Sequence, residues 1–293
     1  MKSQSGILAN LTMQSRYLTF SVADSTNLKA CLADLVKDAR DNRVVGIGQS
    51  LVQALGKRVP GLDVFPALSA NGIDIPSTPS ALWCWLKGTD RGELYHESRE
   101  LMALLEPAFV LDDVIDAFKF KDSRDLSGYE DGTENPVGDD AVASAIVTGQ
   151  GKGLDGSSFV AVQQWLHDLD VMSAMDDAQR DDLIGRHIAD NEEFDEAPAS
   201  AHVKRSAQES FEPEAFMLRR SMPWTEGTQA GLMFIAFGHS FYAYNTIMKH
   251  MVGSDDGVVD GLFTFTRPVT GAYYWCPPVS NGELDLSLLG ISD

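Results

Sequence analysis

The sequence predicts an α+β fold of two tandem ferredoxin-like units, each running β-α-β-β-α-β with antiparallel strands. Three observations predict it. Strand-type and helix-type apolar periodicities follow one another in that order twice. The two runs are separated by Ser127-Gly-Tyr-Glu-Asp-Gly-Thr-Glu-Asn-Pro136, the densest turn signal in the chain. And 293 residues with 44% hydrophobic content can bury a sizeable core.

In the first unit, Tyr17 to Val22 is a β-rich run, and Ser25 or Thr26 is placed to cap a helix carrying Leu28, Leu32, Leu35 and Ala39 at helical spacing. A strand at Val44 to Ile47 follows, then a Pro/Gly-rich connection from Val59 to Ser80. Ala81 to Leu86 reads as a strand buried on both faces, because Trp83, Cys84 and Trp85 come in succession. A helix through Leu94, Leu101 and Leu105 and an alternating strand from Ala108 to Phe120 close the unit. In the second, the order is strand Ser158 to Leu166, helix Asp176 to His187, strand Ala215 to Arg219 and strand Leu232 to Phe237. A helix Ser240 to Val252 follows, with Phe241, Tyr244, Met248 and Met251 on one stripe, and strands at Leu262 to Thr266 and Ala272 to Cys276 complete the order. The division falls as residues 1–140, ending in the acidic loop, and 141–293.

Composition narrows the function. Forty-three acidic against 23 basic residues leave a formal charge of -20, which repels phosphate backbones and anionic headgroups. Nucleic acid and membrane are therefore not expected partners. The runs Asp176-Asp177, Asp181-Asp182 and Asp190 to Glu196 read as solvated surface. Cys31, Cys84 and Cys276 are far apart and outside any CxxC spacing, as expected of reduced, buried thiols. The N-terminal stretch lacks a signal-type apolar core, and the expected location is cytoplasmic. Gly46-Ile-Gly48 starts a dinucleotide fingerprint, but Leu51 stands where its third glycine belongs. Six scattered histidines without paired spacing do not build a metal site from side chains alone, whereas a cofactor bringing its own equatorial ligands needs only one.

Three pieces remain that carry chemistry together: Asp131 in the acidic loop, His202 in Ser200-Ala-His202-Val-Lys-Arg205, and Arg219 in Met217-Leu-Arg219-Arg-Ser221-Met-Pro-Trp224. Alone, each is a turn acid, a polar loop residue and a cation at a strand end. Gly128-Tyr-Glu-Asp-Gly-Thr-Glu-Asn-Pro136, however, resembles the GxxDG loop of dye-decolourising peroxidases. VQQWLHDL from Val162, IGR at Ile184 to Arg186, SAHV from Ser200, LRRSMPW from Leu218 and FTFTRPVTGAYYWCPP from Phe263 follow in that family's order. The resemblance covers nearly the whole chain and is strongest to the cytosolic bacterial branch.

The resemblance implies a dimeric α+β barrel type of fold and haem b (iron protoporphyrin IX) as cofactor, with hydrogen peroxide and a small aromatic reductant as substrates. It makes His202 the axial ligand of the iron, with Asp131 as proton shuttle and Arg219 as charge stabiliser on the peroxide side. Ser221 and Phe234 fall at distal-pocket positions. Asp260 is the acid pairing with His202, with Asp255 and Asp256 close by in sequence. Arg205 and Arg186 are assigned to the propionates, and Gly132, with Gly128, to close approach of the backbone to the macrocycle. Trp224, Tyr242 and Tyr244 are candidate electron relays. The alternative is a protein that binds or transfers haem, or releases its iron, with incidental peroxidation. A homodimer or higher homo-oligomer is expected. The tail from Leu284 to Asp293 is expected to pack on its own fold rather than dock into an encapsulin shell.

Overall fold

The structure, a computed structural model, describes residues 1–37 and 39–291. The first half supplies β1 (Gln14–Val22), β2 (Arg43–Gly48), the short hairpin β3 (Leu68–Ala70) and β4 (Ile73–Ile75), β5 (Leu82–Gly88) and β6 (Phe109–Phe118). The second supplies β7 (Ser158–His167), β8 (Leu218–Arg219), β9 (Met222–Glu226), β10 (Gln229–Gly238), β11 (Thr266–Pro268) and β12 (Ala272–Cys276). Strands of the first half lie in the order β6-β1-β5-β2 and those of the second in the equivalent order β9-β10-β7-β12. Antiparallel pairing of Ala117 with Trp224 and of Tyr274 and Trp275 with Gly48 and Ile47 joins the two into a closed ring. Closure leaves no free edge in the ring.

β5 shows why its apolar run is unbroken. Trp83 and Trp85 face the barrel interior, where they stack with Tyr17, Tyr274 and Phe237. Leu82, Cys84 and Leu86 face outward under the helices Leu28–Lys37 and Arg91–Leu105. Alternate side chains of a strand point to opposite faces, so burial on both removes any polar alternation. The helix Tyr242–Met251 covers the second half in the same way, burying Tyr244, Met248 and Met251. All three cysteines are buried, and none is in a disulfide.

Two expected strands are placed differently. The second strand of the second half is β9, not Ala215 to Arg219, of which only Leu218–Arg219 pairs. β8 and β9 lie on β10 in one register, Arg219 opposite Ala236 and Met222 opposite Met233. Between them the Ile235 N–H donates to Ser221 Oγ (3.4 Å) rather than to a carbonyl. Pro223 and the charged pair Arg219-Arg220 disguise this strand in the sequence. Leu262 to Thr264 is a 3-10 turn rather than a strand, because Asp260 caps it by accepting the Leu262 N–H (2.8 Å). The long connection before β5 holds the β3–β4 hairpin, turned by Asn71 and Gly72 at positive φ, the residue pair a two-residue hairpin favours.

Of the tail, Leu284, Leu286, Leu289 and Ile291 are buried in the main core, while Ser292 and Asp293 lie outside the described residues. Among the described residues no helix is long and apolar enough to cross a membrane.

Candidate active site

The acidic loop is folded tightly by its own backbone. Asp131 N–H donates to the Ser123 carbonyl (3.1 Å), Asp125 N–H to the Tyr129 carbonyl (2.9 Å), and Gly128 N–H to the Asp125 carbonyl (2.9 Å). Arg124 at its root donates to the Gly128 carbonyl and to Glu130. Gly132 has φ of +84°, and a Cβ there would come 2.7 Å from Asn135 Nδ2. This glycine makes room for Asn135. Tyr129 is not a surface residue: it is buried, and its hydroxyl donates to Asp181 Oδ1 (2.6 Å). Asp181, read from sequence as solvated, is likewise buried, and also accepts from the Ile188 N–H and bonds the His187 ring.

Asn135 ties this loop to Arg219. Its Oδ1 accepts the Arg219 N–H (2.8 Å) and its Nδ2 donates to the Arg219 carbonyl (3.0 Å), as a neighbouring strand would. The amide thus sets where β8 presents Arg219 relative to Asp131. Two such bonds contribute about 0.5–1.5 kcal/mol each. Asn135→Ala will accordingly lower stability by about 1–3 kcal/mol, read from the urea midpoint, and Asn135→Asp, which keeps only the acceptor, by less. Equal midpoints in all three proteins would refute this bracing.

His202 opens the one-turn helix His202–Arg205. The preceding helix, Asp177–Ile184, is started by an Asp176–Gln179 capping box and stopped by Gly185 in the left-handed region, short of the expected His187. A Cβ on Gly185 would overlap Val203 and Ala201, so this glycine lets the two helices meet. The His202 ring Nδ1 lies 2.8 Å from Asp260 Oδ2, and the Asp260 side chain is fully buried. Asp260, rather than its neighbours, is the acid at His202: Asp255 bonds the His250 ring and Asp256 bonds Arg205. A carboxylate in its ionised form only accepts, so it favours the proton on Nδ1, the tautomer in which the neutral ring keeps its lone pair on Nε2. Nε2 has no hydrogen-bond partner among the described residues.

His202, Asp131, Arg219 and Phe234 line one cavity, about 840 Å³ with the solvent space at its mouth, otherwise walled largely by apolar side chains such as Met248 and Leu262. Among the described residues no ion pair involves the Arg219 guanidinium, and its Nε is buried without a partner. Burial raises the Asp131 pKa; the Arg219 charge opposes this, Asp125 reinforces it, and His202 opposes it more weakly. The net direction is upward: withdrawal from water outweighs the Arg219 charge. Ser221 and Gly132 line a smaller adjoining space of about 350 Å³ that shares Asp131 and Arg219 with the cavity.

The assigned propionate partners are placed elsewhere. Arg205 makes a two-pronged ion pair with Asp256 and donates to the His250 carbonyl, and Arg186 pairs with Glu134 and Glu193. Neither lines the cavity. Of the aromatic residues, Trp224 is buried with its Nε1–H on the Trp165 carbonyl and Tyr244 is buried, whereas Tyr242 is exposed. Asn135, Tyr129 with Asp181, and a His167–Asp125 pair on the cavity wall (3.0 Å) were not singled out by sequence. His167 did stand in a quoted motif, VQQWLHDL.

Residues 122–281 match the family model described as "Dyp-type peroxidase, C-terminal". The chain is 27% identical to a dye-decolorizing peroxidase of Mycolicibacterium paratuberculosis, over 93% of this chain and 83% of that one. It is likewise 27% identical to one of Rhodococcus erythropolis, over 92% and 85%. Among solved structures, a putative dyp-type peroxidase from Shewanella oneidensis superposes with a TM-score of 0.89 at 28% identity, covering 100% of this chain and 99% of that chain. A DypB variant of Rhodococcus jostii RHA1 in complex with heme gives 0.85 at 25% identity, covering 93% and 95%.

Proposed function

The chain belongs to the Dyp-type peroxidase family, and we propose that it is a haem b peroxidase in which His202 binds the iron and Asp131 and Arg219 act on peroxide. One observation carries this reading. Among the described residues, His202 Nε2 has no partner beside a cavity that also holds a half-buried acid and a guanidinium with no carboxylate partner. These residues fit the cofactor: a lone pair suits iron and the apolar walls suit a macrocycle. Bound there, haem b would supply a redox-active iron able to pass electrons to peroxide.

The residues of the chain do the rest. The Asp131 carboxylate takes the proton from one peroxide oxygen and returns it to the other, so that water can leave. The Arg219 guanidinium stabilises the charge gathering on the departing oxygen. Asp260 holds the Nδ1 proton of His202, keeping Nε2 a strong donor and the ring in one orientation. Phe234 and Leu262 keep water out of the cavity. Arg205 and Arg186 are left out of the cofactor's binding set, since both are committed to carboxylates. The burial of Leu284, Leu286 and Leu289 supports a tail that packs on its own fold rather than one free for docking.

The decisive test is rapid mixing of the haem-loaded protein with peroxide. A fast spectral change followed by oxidation of an added phenol is expected. Haem released intact or stripped of its iron, with no donor oxidised, would favour the haem-handling alternative instead.

The charge of -20 adds an expectation about donors. A field of that sign steers cations inward and anions away, and salt screens it, with a Debye length of about 30 Å at 0.01 M and about 8 Å at 0.15 M. Across that range, kcat/KM for a cationic aromatic amine will fall and that for a sulfonated dye will rise. Identical salt responses for the two donors would count against electrostatic steering.

A further inference from the structure

His167, at the end of β7, is a titratable group for which this reading has no use. Its side chain is only 3% exposed, yet it lines two spaces at once. One is the cavity; the other is a surface cleft of about 920 Å³ walled by Leu166, Ala230 and Phe263, with Asp168, Asp170 and Arg267 at its rim. Thr266 and Phe265 are common to both spaces. His167 Nε2 lies 3.0 Å from Asp125 Oδ1, and Nδ1 lies 2.7 Å from Thr266 Oγ1. Burial works to raise the Asp125 pKa, but the bond and charge of His167 and the Ser127 N–H outweigh it, so the carboxylate stays ionised and accepts the Nε2 proton.

The other ring nitrogen is bistable. Thr266 Oγ1 also lies 3.2 Å from the Leu166 carbonyl. With its proton on that carbonyl, the hydroxyl accepts from a protonated Nδ1; rotated, it donates to a neutral one. The imidazole keeps two partners in both states, so it can gain and lose a proton at Nδ1 without leaving a buried polar atom unmet.

Resting on the peroxidase reading, we propose that His167 relays the proton of a phenol or aromatic amine that docks in this cleft, passing it through the wall to Asp125. The donor's O–H or N–H bond breaks. Its electron goes to the cofactor that peroxide has oxidised, and its proton goes by way of the Thr266 hydroxyl to Nδ1. The Nε2 proton moves to Asp125, in the cavity whose Asp131 already feels that carboxylate's charge. The product is a neutral radical. Two donors so treated deliver the two electrons and two protons that turn peroxide into two waters. Leu166, Ala230 and Phe263 offer an aromatic ring an apolar patch within an otherwise polar cleft, and Thr266 offers its hydroxyl the first contact.

The test compares donors with and without a proton to lose. His167→Gln keeps an amide within reach of both partners but cannot take up and release a proton, and general acid–base steps of this kind contribute about 10²–10⁴-fold. Expected is at least about a tenfold fall in kcat for phenol oxidation with KM unchanged, while ferrocyanide, which gives an electron alone, is oxidised within about twofold of wild type. Haem content should stay the same. Thr266→Val should reproduce the effect and Thr266→Ser should not. Equal losses with both donors, or no loss with phenol, would overturn the relay. Wild-type protein that oxidises neither donor would instead bring down the peroxidase reading and the relay with it.

Discussion

His202→Ala will give a folded protein that does not retain haem, seen as loss of the Soret band after gel filtration. His202 is placed by a one-turn helix whose seat depends on Gly185 and on the Gly261 N–H donating to the Ser200 carbonyl (2.7 Å), contacts the substitution leaves intact. Only the ring is removed, and with it the one histidine nitrogen on the cavity wall that has no partner among the described residues. Asp260→Asn is the graded companion. It keeps the volume but offers no negative charge to the Nδ1 proton, and loss of such a supporting partner costs about 10–100-fold in metal affinity or activity. Haem should therefore bind more weakly, and the iron's reduction potential should rise, because less electron density reaches it from the imidazole. Full haem retention by His202→Ala would show that the ligand lies elsewhere.

What could be read without coordinates follows from how local each signal is. The β5 run Trp83-Cys84-Trp85 declares burial on both faces within three residues, and the acidic loop declares its turn through Gly128, Gly132 and Pro136. β9 was missed because Pro223 hides a strand whose partners, Trp224 opposite Gly231 and Pro223 opposite Leu232, are only visible as a ladder. The pairing of His202 with Asp260 spans 58 residues, so spacing alone left three acids open, and the 3-10 turn capped by Asp260 decided among them. Arg205 and Arg186 are drawn to carboxylates for an electrostatic reason. With 43 acids for 23 basic residues, carboxylates of the same chain are within reach of many guanidinium groups, as they are of these two.

Arg219 has no carboxylate partner among the described residues, and Asn135 helps to aim it. Holding the Arg219 backbone by both its N–H and its carbonyl directs the residue from a strand edge toward the cavity rather than toward the acidic surface. The loop's remaining acids are then accounted for. Glu130 pairs with Arg124, Glu134 with Arg186, and Asp125 with His167, leaving Asp131 as the loop carboxylate with no cationic partner in contact.

Asp131→Asn will slow the reaction with peroxide by about 10²–10⁴-fold, the usual worth of a positioned base, and Arg219→Leu by about 10²–10³-fold, the worth of one charge-stabilising donor. Their pH profiles separate the two roles. The base form of Asp131 is the ionised one, and its pKa is raised above the ordinary carboxylate value, chiefly by burial, with Arg219 opposing and Asp125 adding. The wild-type rate should fall as pH drops through a value higher than an exposed aspartate would give. Removing the opposing charge in Arg219→Leu should move that limb further up in pH, and Asp125→Asn should move it down. Stability carries the same sign. A carboxyl whose folded pKa exceeds its unfolded value favours the protonated fold, so its ionisation costs stability above the folded pKa and nothing below the unfolded one, about 3.9. Asp131→Asn should thus melt higher than wild type at pH 7, with the difference shrinking toward pH 3.5. An acid limb that stays put in Arg219→Leu, together with an Asp131→Asn protein no more stable at neutral pH, would mean that Asp131 is not the buried base of this site.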